Sequence, residues 1–149
     1  MAISEQLRLM TVGEAPSISF TVFGTPVPQG SMKAFMRPGM RHPVVTSDNK
    51  KLKPWRQEVT GCALRAFRSP VLKPAALCVS VTFFLHRPES KARKIIYPSA
   101  KPDIDKLLRG ILDALTGVAY EDDSQVCRVV MEKNYGQPER AEITVGVLL

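Results

Sequence analysis

Residues 101–117 read KPDIDKLLRGILDALTG, and VAYEDDSQV follows directly at 118–126. Within IDKLLRGILDAL, residues Ile104, Leu107, Leu108, Ile111, Leu112 and Leu115 recur at i, i+3, i+4, i+7, i+8 and i+11. This spacing puts one apolar stripe along a helix. Pro102-Asp103 and Thr116-Gly117 supply its start and stop signals. The stripe needs an apolar partner, and the neighbouring sequence offers one. Ala76 to Leu85 alternates with period two, placing Leu77, Val79, Val81, Phe83 and Leu85 on one face of a strand.

Working outward, Ile18 to Phe23 predicts a strand stopped by Gly24-Thr25-Pro26. A long connection rich in Gly, Pro, Met and cations follows, with a short strand at Val44-Val45 inside it. Pro54 to Arg68 predicts a second helix, since Trp55, Val59, Cys62, Ala63, Ala66 and Phe67 share a stripe. Val126 to Tyr135 and Ala141 to Leu149 predict two strands joined through GQPE as a hairpin. The order strand, loop, helix, strand, helix, strand, strand predicts an α+β fold: one small domain with a mixed sheet covered by two helices. Residues 1–15 are expected to form a flexible tail and residues 16–149 the domain. The longest apolar run, Ala75 to Leu85, is too short for the roughly 20 residues of a membrane span. The N-terminus has no secretory pattern, so a cytoplasmic location and no membrane partner are expected. Cys62, Cys78 and Cys127 are scattered in apolar contexts and are expected to be buried free thiols.

Charge is segregated along the chain. The net charge is +7, yet Asp103 to Asp123 holds six carboxylates against two basic side chains. Lys33 to Lys101 holds fifteen basic residues against three acids. A basic excess of this kind suits a polyanion such as nucleic acid. Taken singly, each acid has a plain explanation. Asp103 sits where a helix N-cap accepts backbone N–H bonds, and Asp105 complements the helix dipole in the first turn. Asp105 and Arg109 also form an i, i+4 pair, worth only about 0.2–0.5 kcal/mol on an exposed face.

Taken together, the acids point elsewhere. The helix from Asp105 to Leu115 climbs about 15 Å. Six extended steps from Gly117 to Asp123 cover about 20 Å. An antiparallel return would set Asp122 and Asp123 beside Asp103 and Asp105. Four such carboxylates need a cation, and oxygen-only ligands favour Mg²⁺ or Mn²⁺. An acidic metal pocket within a basic chain suits a metal-dependent nuclease.

The run KPDIDKLLRGILDALTGVAYEDDSQV resembles the signature of the RusA family of Holliday junction resolvases. It combines Asp-x-Asp, a basic residue four positions on, a helix ending in DAL and a strand opening with DDxQV. The resemblance implies a two-layer sandwich and a homodimeric, Mg²⁺-dependent endodeoxyribonuclease. Its substrate would be four-way junctions in recombination and repair, with no small-molecule cofactor. Carried onto this chain, it implies Asp103, Asp105 and Asp123 as metal-binding catalytic acids, Asp122 as an assisting or alternative ligand, and Arg109 in place of the family lysine. Arg stays protonated, so its expected role is electrostatic. Lys106 stands where the family has Asn. Asp113 matches a family position but lies too far along the helix, so a structural hydrogen bond is expected. The candidate DNA contacts are Lys33, Arg37, Arg41, Lys50, Lys51, Lys53, Arg56, Lys91, Arg93 and Lys94. Two other readings compete with this one: a non-catalytic phage DNA-binding protein, and a general metal-dependent nuclease.

Overall fold

A computed structural model describes residues 17–30, 33–46, 49–68 and 75–148; the expected N-terminal tail lies outside them. Strand β1 spans Ser17–Phe23, β2 Lys33–Phe35 and β3 Val44–Thr46. Helix α1 spans Leu52–Ala66, β4 Ala76–Leu85, and helix α2 Ile104–Leu115. Strand β5 spans Val126–Tyr135 and β6 Arg140–Leu148. The long connection after β1 therefore holds a two-stranded ribbon, β2 against β3, of which the sequence signalled only the second strand. Four strands form one sheet in the order β1-β6-β4-β5, and two helices complete the α+β domain.

Strand β4 organises the sheet. Leu77, Val79, Val81, Phe83 and Leu85 are buried as its alternation predicted. Leu77, Val79, Val81 and Phe83 meet Trp55, Val59 and Ala63 of α1 and Leu107, Ile111 and Leu115 of α2 in one apolar core. Burying each such side chain contributes about 1.5–3 kcal/mol, so the two helical stripes and this face fix the layering. Parallel neighbours cannot be joined by a tight turn. Strands β4 and β5 are parallel, and α2 with its flanking loops is their crossover.

The expected hairpin of the last two strands does not form. β6 pairs antiparallel with β4 and β1, and β4 lies between β5 and β6. The connection 136–139 must then span two strand spacings, about 9.6 Å, within reach of four residues. It passes over the end of β4, where Gly136 N–H donates to Leu85 O at 3.0 Å. A Cβ at Gly136 would stand 2.6 Å from Phe84 Cδ1, and the Arg140 guanidinium lies 3.7 Å from the centre of that same ring. Glycine is required there by close approach, whereas the sequence suggested a turn glycine.

Helix α1 begins two residues before its expected start, with Pro54 in its first turn. Trp55 is a core anchor, 4 % exposed. Gly110 of α2 lets Val27 O and Leu52 Cδ1 come within 3.5 and 3.6 Å of where its Cβ would be. That closeness docks the 24–30 loop against α2. All three cysteines are free, but only Cys78 is buried; Cys127, on the sheet-edge strand β5, is exposed, contrary to expectation. Burial pushes the Cys78 thiol pKa up, which keeps it protonated and unreactive. No helix among the described residues is long and apolar enough to cross a membrane.

Candidate active site

The two acid pairs are mounted on different parts of the scaffold. Asp103 holds the N-cap position of α2 with extended backbone angles, φ −70° and ψ 136°. Its side chain makes no capping hydrogen bond. The carboxylate instead lies 3.2 Å from Lys106 Nζ, in an exposed pair worth about 1 kcal/mol or less. The cap explanation for Asp103 therefore fails at the side chain. Asp105 is exposed in the first turn, Arg109 is exposed one turn later, and they form no ion pair with each other. Lys133 of β5 donates to Ala100 O and Pro102 O, both at 2.8 Å, and so fastens the approach to this turn.

The second pair reaches its place differently from the sequence expectation. Residues 116–120 do not run extended. Gly117, at φ +83°, donates to Tyr120 O at 2.7 Å, and Val118 and Ala119 N–H both donate to Leu115 O. A tight turn at the end of α2 consumes the residues that were to travel back along it. The left-handed φ is one glycine adopts without steric penalty. Tyr120 then enters the core, fully buried, and its hydroxyl donates to Leu112 O at 2.7 Å.

After that anchor, Asp122 is extended and caps a single 3-10 turn, Asp123–Gln125. Its Oδ1 accepts Ser124 N–H at 2.8 Å, and the side chain also accepts from the Gln125 backbone in a capping box, so this carboxylate already has a structural task. Asp123 opens the turn and is exposed, as is Glu121. Gln125 holds the turn in place and is 6 % exposed. Its Oε1 accepts the N–H groups of Glu121 and Asp122 at 3.0 and 3.3 Å. Its Nε2 donates to Ala75 O, just ahead of β4, at 3.2 Å. The sequence signature contained this glutamine but gave it no role. Its spacing of three from Asp122 was the available signal, because that is a capping box.

Asp113 takes the structural role expected of it. Gln29 Nε2 donates to Asp113 Oδ2 at 2.6 Å, and Gln29 N–H donates to Lys106 O at 2.9 Å. Gln29, 5 % exposed, thus locks the 24–30 loop onto α2. Sequence reasoning passed it over, since a glutamine between Pro and Gly in a loop carries no period.

Burial, then the negative charge of Asp123 and, more weakly, that of Asp113, raise the Tyr120 pKa above its ordinary 10.0. An unfolded chain releases this proton near pH 10 while the folded one keeps it. The stability this supplies is complete below pH 10 and is lost as pH rises beyond it. The loss approaches about 1.4 kcal/mol per pH unit for one proton. Chemical denaturation in steps above about pH 10 should show this decline, and Tyr120→Phe should remove it. An identical decline in the variant would assign the effect to other groups.

Among the described residues, no three His, Cys, Asp or Glu side chains are gathered so as to hold a metal ion. Asp103 is paired with Lys106, Asp122 is capping, and Asp123 is exposed at the start of its 3-10 turn. The donor chemistry, carboxylate oxygen only, fits a hard divalent cation; the arrangement is not a preformed three-ligand cage.

The candidate DNA cations are spread over three places. Arg37 and Arg41 are exposed on the connection between β2 and β3, and Lys33 lies in β2. Lys50, Lys51 and Lys53 are exposed at the start of α1, with Arg56 half-buried one turn on. Lys91, Arg93 and Lys94 are exposed on the connector after β4. His86 is engaged by Gln137 at 2.9 Å, in keeping with a surface role.

Comparison with known proteins matches residues 24–146 to the family described as endodeoxyribonuclease RusA. The matched span includes both acid pairs, both helices and Gln29. The chain is also 32% identical over 138 residues to the uncharacterized protein YqaN of Bacillus subtilis (strain 168). That match covers 86% of this chain and 94% of the relative.

Proposed function

This chain belongs to the endodeoxyribonuclease RusA family, hydrolases acting on DNA, and on that premise we propose that it cleaves four-way DNA junctions. The observation that carries the reading is the family match across residues 24–146, which takes in every candidate acid. It is supported by Asp103, which stands at a helix N-cap without capping, so that its exposed carboxylate has no task in holding the helix end.

Asp103, Asp105 and Asp123 are the residues proposed to hold a divalent cation, Mg²⁺ or Mn²⁺, with Asp122 as an assisting or alternative ligand. Such a cation, when bound, supplies positive charge against the phosphate and a lowered pKa for water. Binding would require Asp103 to leave Lys106, an exposed pair weak enough to exchange. Arg109 cannot act as a proton donor or acceptor near neutral pH, and its proposed role is to place fixed positive charge beside the scissile phosphate. The products would carry a 5′-phosphate and a 3′-hydroxyl. Two equivalent cuts per junction call for a two-fold pair of these small single-site domains, so a homodimer is part of the proposal.

The test is cleavage by purified protein of a labelled four-way junction and of linear duplex, with Mg²⁺, with Mn²⁺ and with chelator. Metal-dependent cutting that favours the junction is expected. Binding of the junction without cutting in either metal would favour the non-catalytic reading. Equal cutting of both DNAs would favour a general nuclease.

A further inference from the structure

One side of α1 and the C-terminal end of α2 enclose a groove of about 910 Å³. Lys50, Lys53 and Arg56 line one wall, with Asp113 and Thr116 across from them. The charges are unbalanced. Among the described lining residues the single acid is already engaged by Gln29, and none of the three cations forms an ion pair with another described residue. Their position also works against the fold. The first turn of α1 holds no acid, and the positive end of the helix dipole repels Lys53 within that turn and Lys50 just ahead of it. Helix stability therefore does not account for these residues, whereas a bound polyanion does.

We propose that this groove seats the sugar–phosphate backbone of one DNA strand, with Lys50, Lys53 and Arg56 contacting successive phosphates. The inference rests on the nuclease reading and separates three of the ten candidate cations as the main contact. Lys53 and Arg56 are three residues apart, which places them as neighbours along one helix face, about 5–6 Å apart at Cβ. A row of charges in an open groove suits a repeating anion better than a single small one. The hydroxyls do not compete for the role. Thr60 donates to Ala114 O at 2.9 Å and Thr116 to Leu112 O at 3.1 Å, so their protons are already used. Further along, Leu64 is 61% exposed and offers apolar surface to a sugar or base.

The experiment compares Lys50→Gln/Lys53→Gln/Arg56→Gln with Lys91→Gln/Arg93→Gln/Lys94→Gln, a triple variant with the same charge change. Binding of a four-way junction and of linear duplex is measured over a salt series in chelator. The groove variant should lose about tenfold or more in affinity, and its dependence of log K on log salt should fall by about 2–3, near 0.9 for each phosphate no longer neutralised. It should unfold at the same or a higher temperature, since cations leave a helix N-terminus. The connector variant should lose less. Equal losses in the two variants, or wild-type binding by the groove variant, would overturn the proposal while leaving the nuclease reading intact. A wild-type protein that neither binds nor cuts DNA would instead overturn the nuclease reading itself.

Discussion

Asp103→Asn and Asp123→Asn are each expected to lower metal-dependent junction cleavage by at least about 100-fold, because even losing an outer partner of a metal ligand costs about 10–100-fold. Both side chains are exposed, and the Asp103 carboxylate accepts no capping hydrogen bond. Replacing either with an isosteric amide should leave the unfolding midpoint nearly unchanged. Junction affinity in chelator should be equal to or slightly above wild type, since one negative charge near the DNA is removed. Single-turnover cleavage, thermal unfolding and a chelator binding curve check the three parts. Wild-type cleavage by either variant would remove that residue from the proposed site. Asp113→Asn offers a contrast. Its carboxylate accepts from Gln29 and lies outside the proposed metal ligands, so its effect should appear in stability.

Gln125→Ala should have the second largest effect, and on two readouts at once. The amide oxygen serves two backbone N–H groups and the amide nitrogen one carbonyl. Leaving these groups without a partner costs about 1–3 kcal/mol in a largely buried setting. The same loss frees the 121–123 backbone, so the metal concentration needed for half-maximal cleavage should rise by about 10–100-fold. Gln125→Glu separates the two effects. A carboxylate still accepts from Glu121 and Asp122 but cannot donate to Ala75 O. It should restore much of the metal response and less of the stability. A Gln125→Ala protein with wild-type stability and metal response would show that Tyr120 and the turn hydrogen bonds suffice to place the acids.

The helical elements were readable because their signals are local. The stripe from Ile104 to Leu115 and the alternation of Leu77 to Leu85 each need only the spacing of apolar residues against a helix or strand period. The β4 face and the centre of the α2 stripe are buried as that spacing required. The neighbours of β5 and β6 were not readable. GQPE between two strands is an ordinary hairpin link, and only the competition for the edges of β4 sends β6 to the far side. That outcome is a long-range property with no signature in four residues. Cys127 was misplaced for a related reason: an apolar neighbourhood in sequence does not say that its strand is an edge.

The acids divide in the same way. Their types and their concentration were plain in the sequence, and so was the family pattern they complete, which the match over residues 24–146 supports. Their placement depended on how many residues the end of α2 would use. The turn at 116–120 used the length that an extended return needed, through backbone hydrogen bonds and a left-handed Gly117. Gln29 escaped for want of periodicity and Gln125 because its capping spacing does not show the third bond, and each acts through an amide reaching across the chain, to Asp113 and to Ala75. The sequence by itself determined the elements, the charge asymmetry and the chemistry available. The tertiary structure decided the strand order, the turn that carries Asp122 and Asp123, and the hydrogen bonds that engage Asp113 and Asp122. The strand order and the bond to Asp113 depend on residues far apart in the chain, which meet only when the whole core packs.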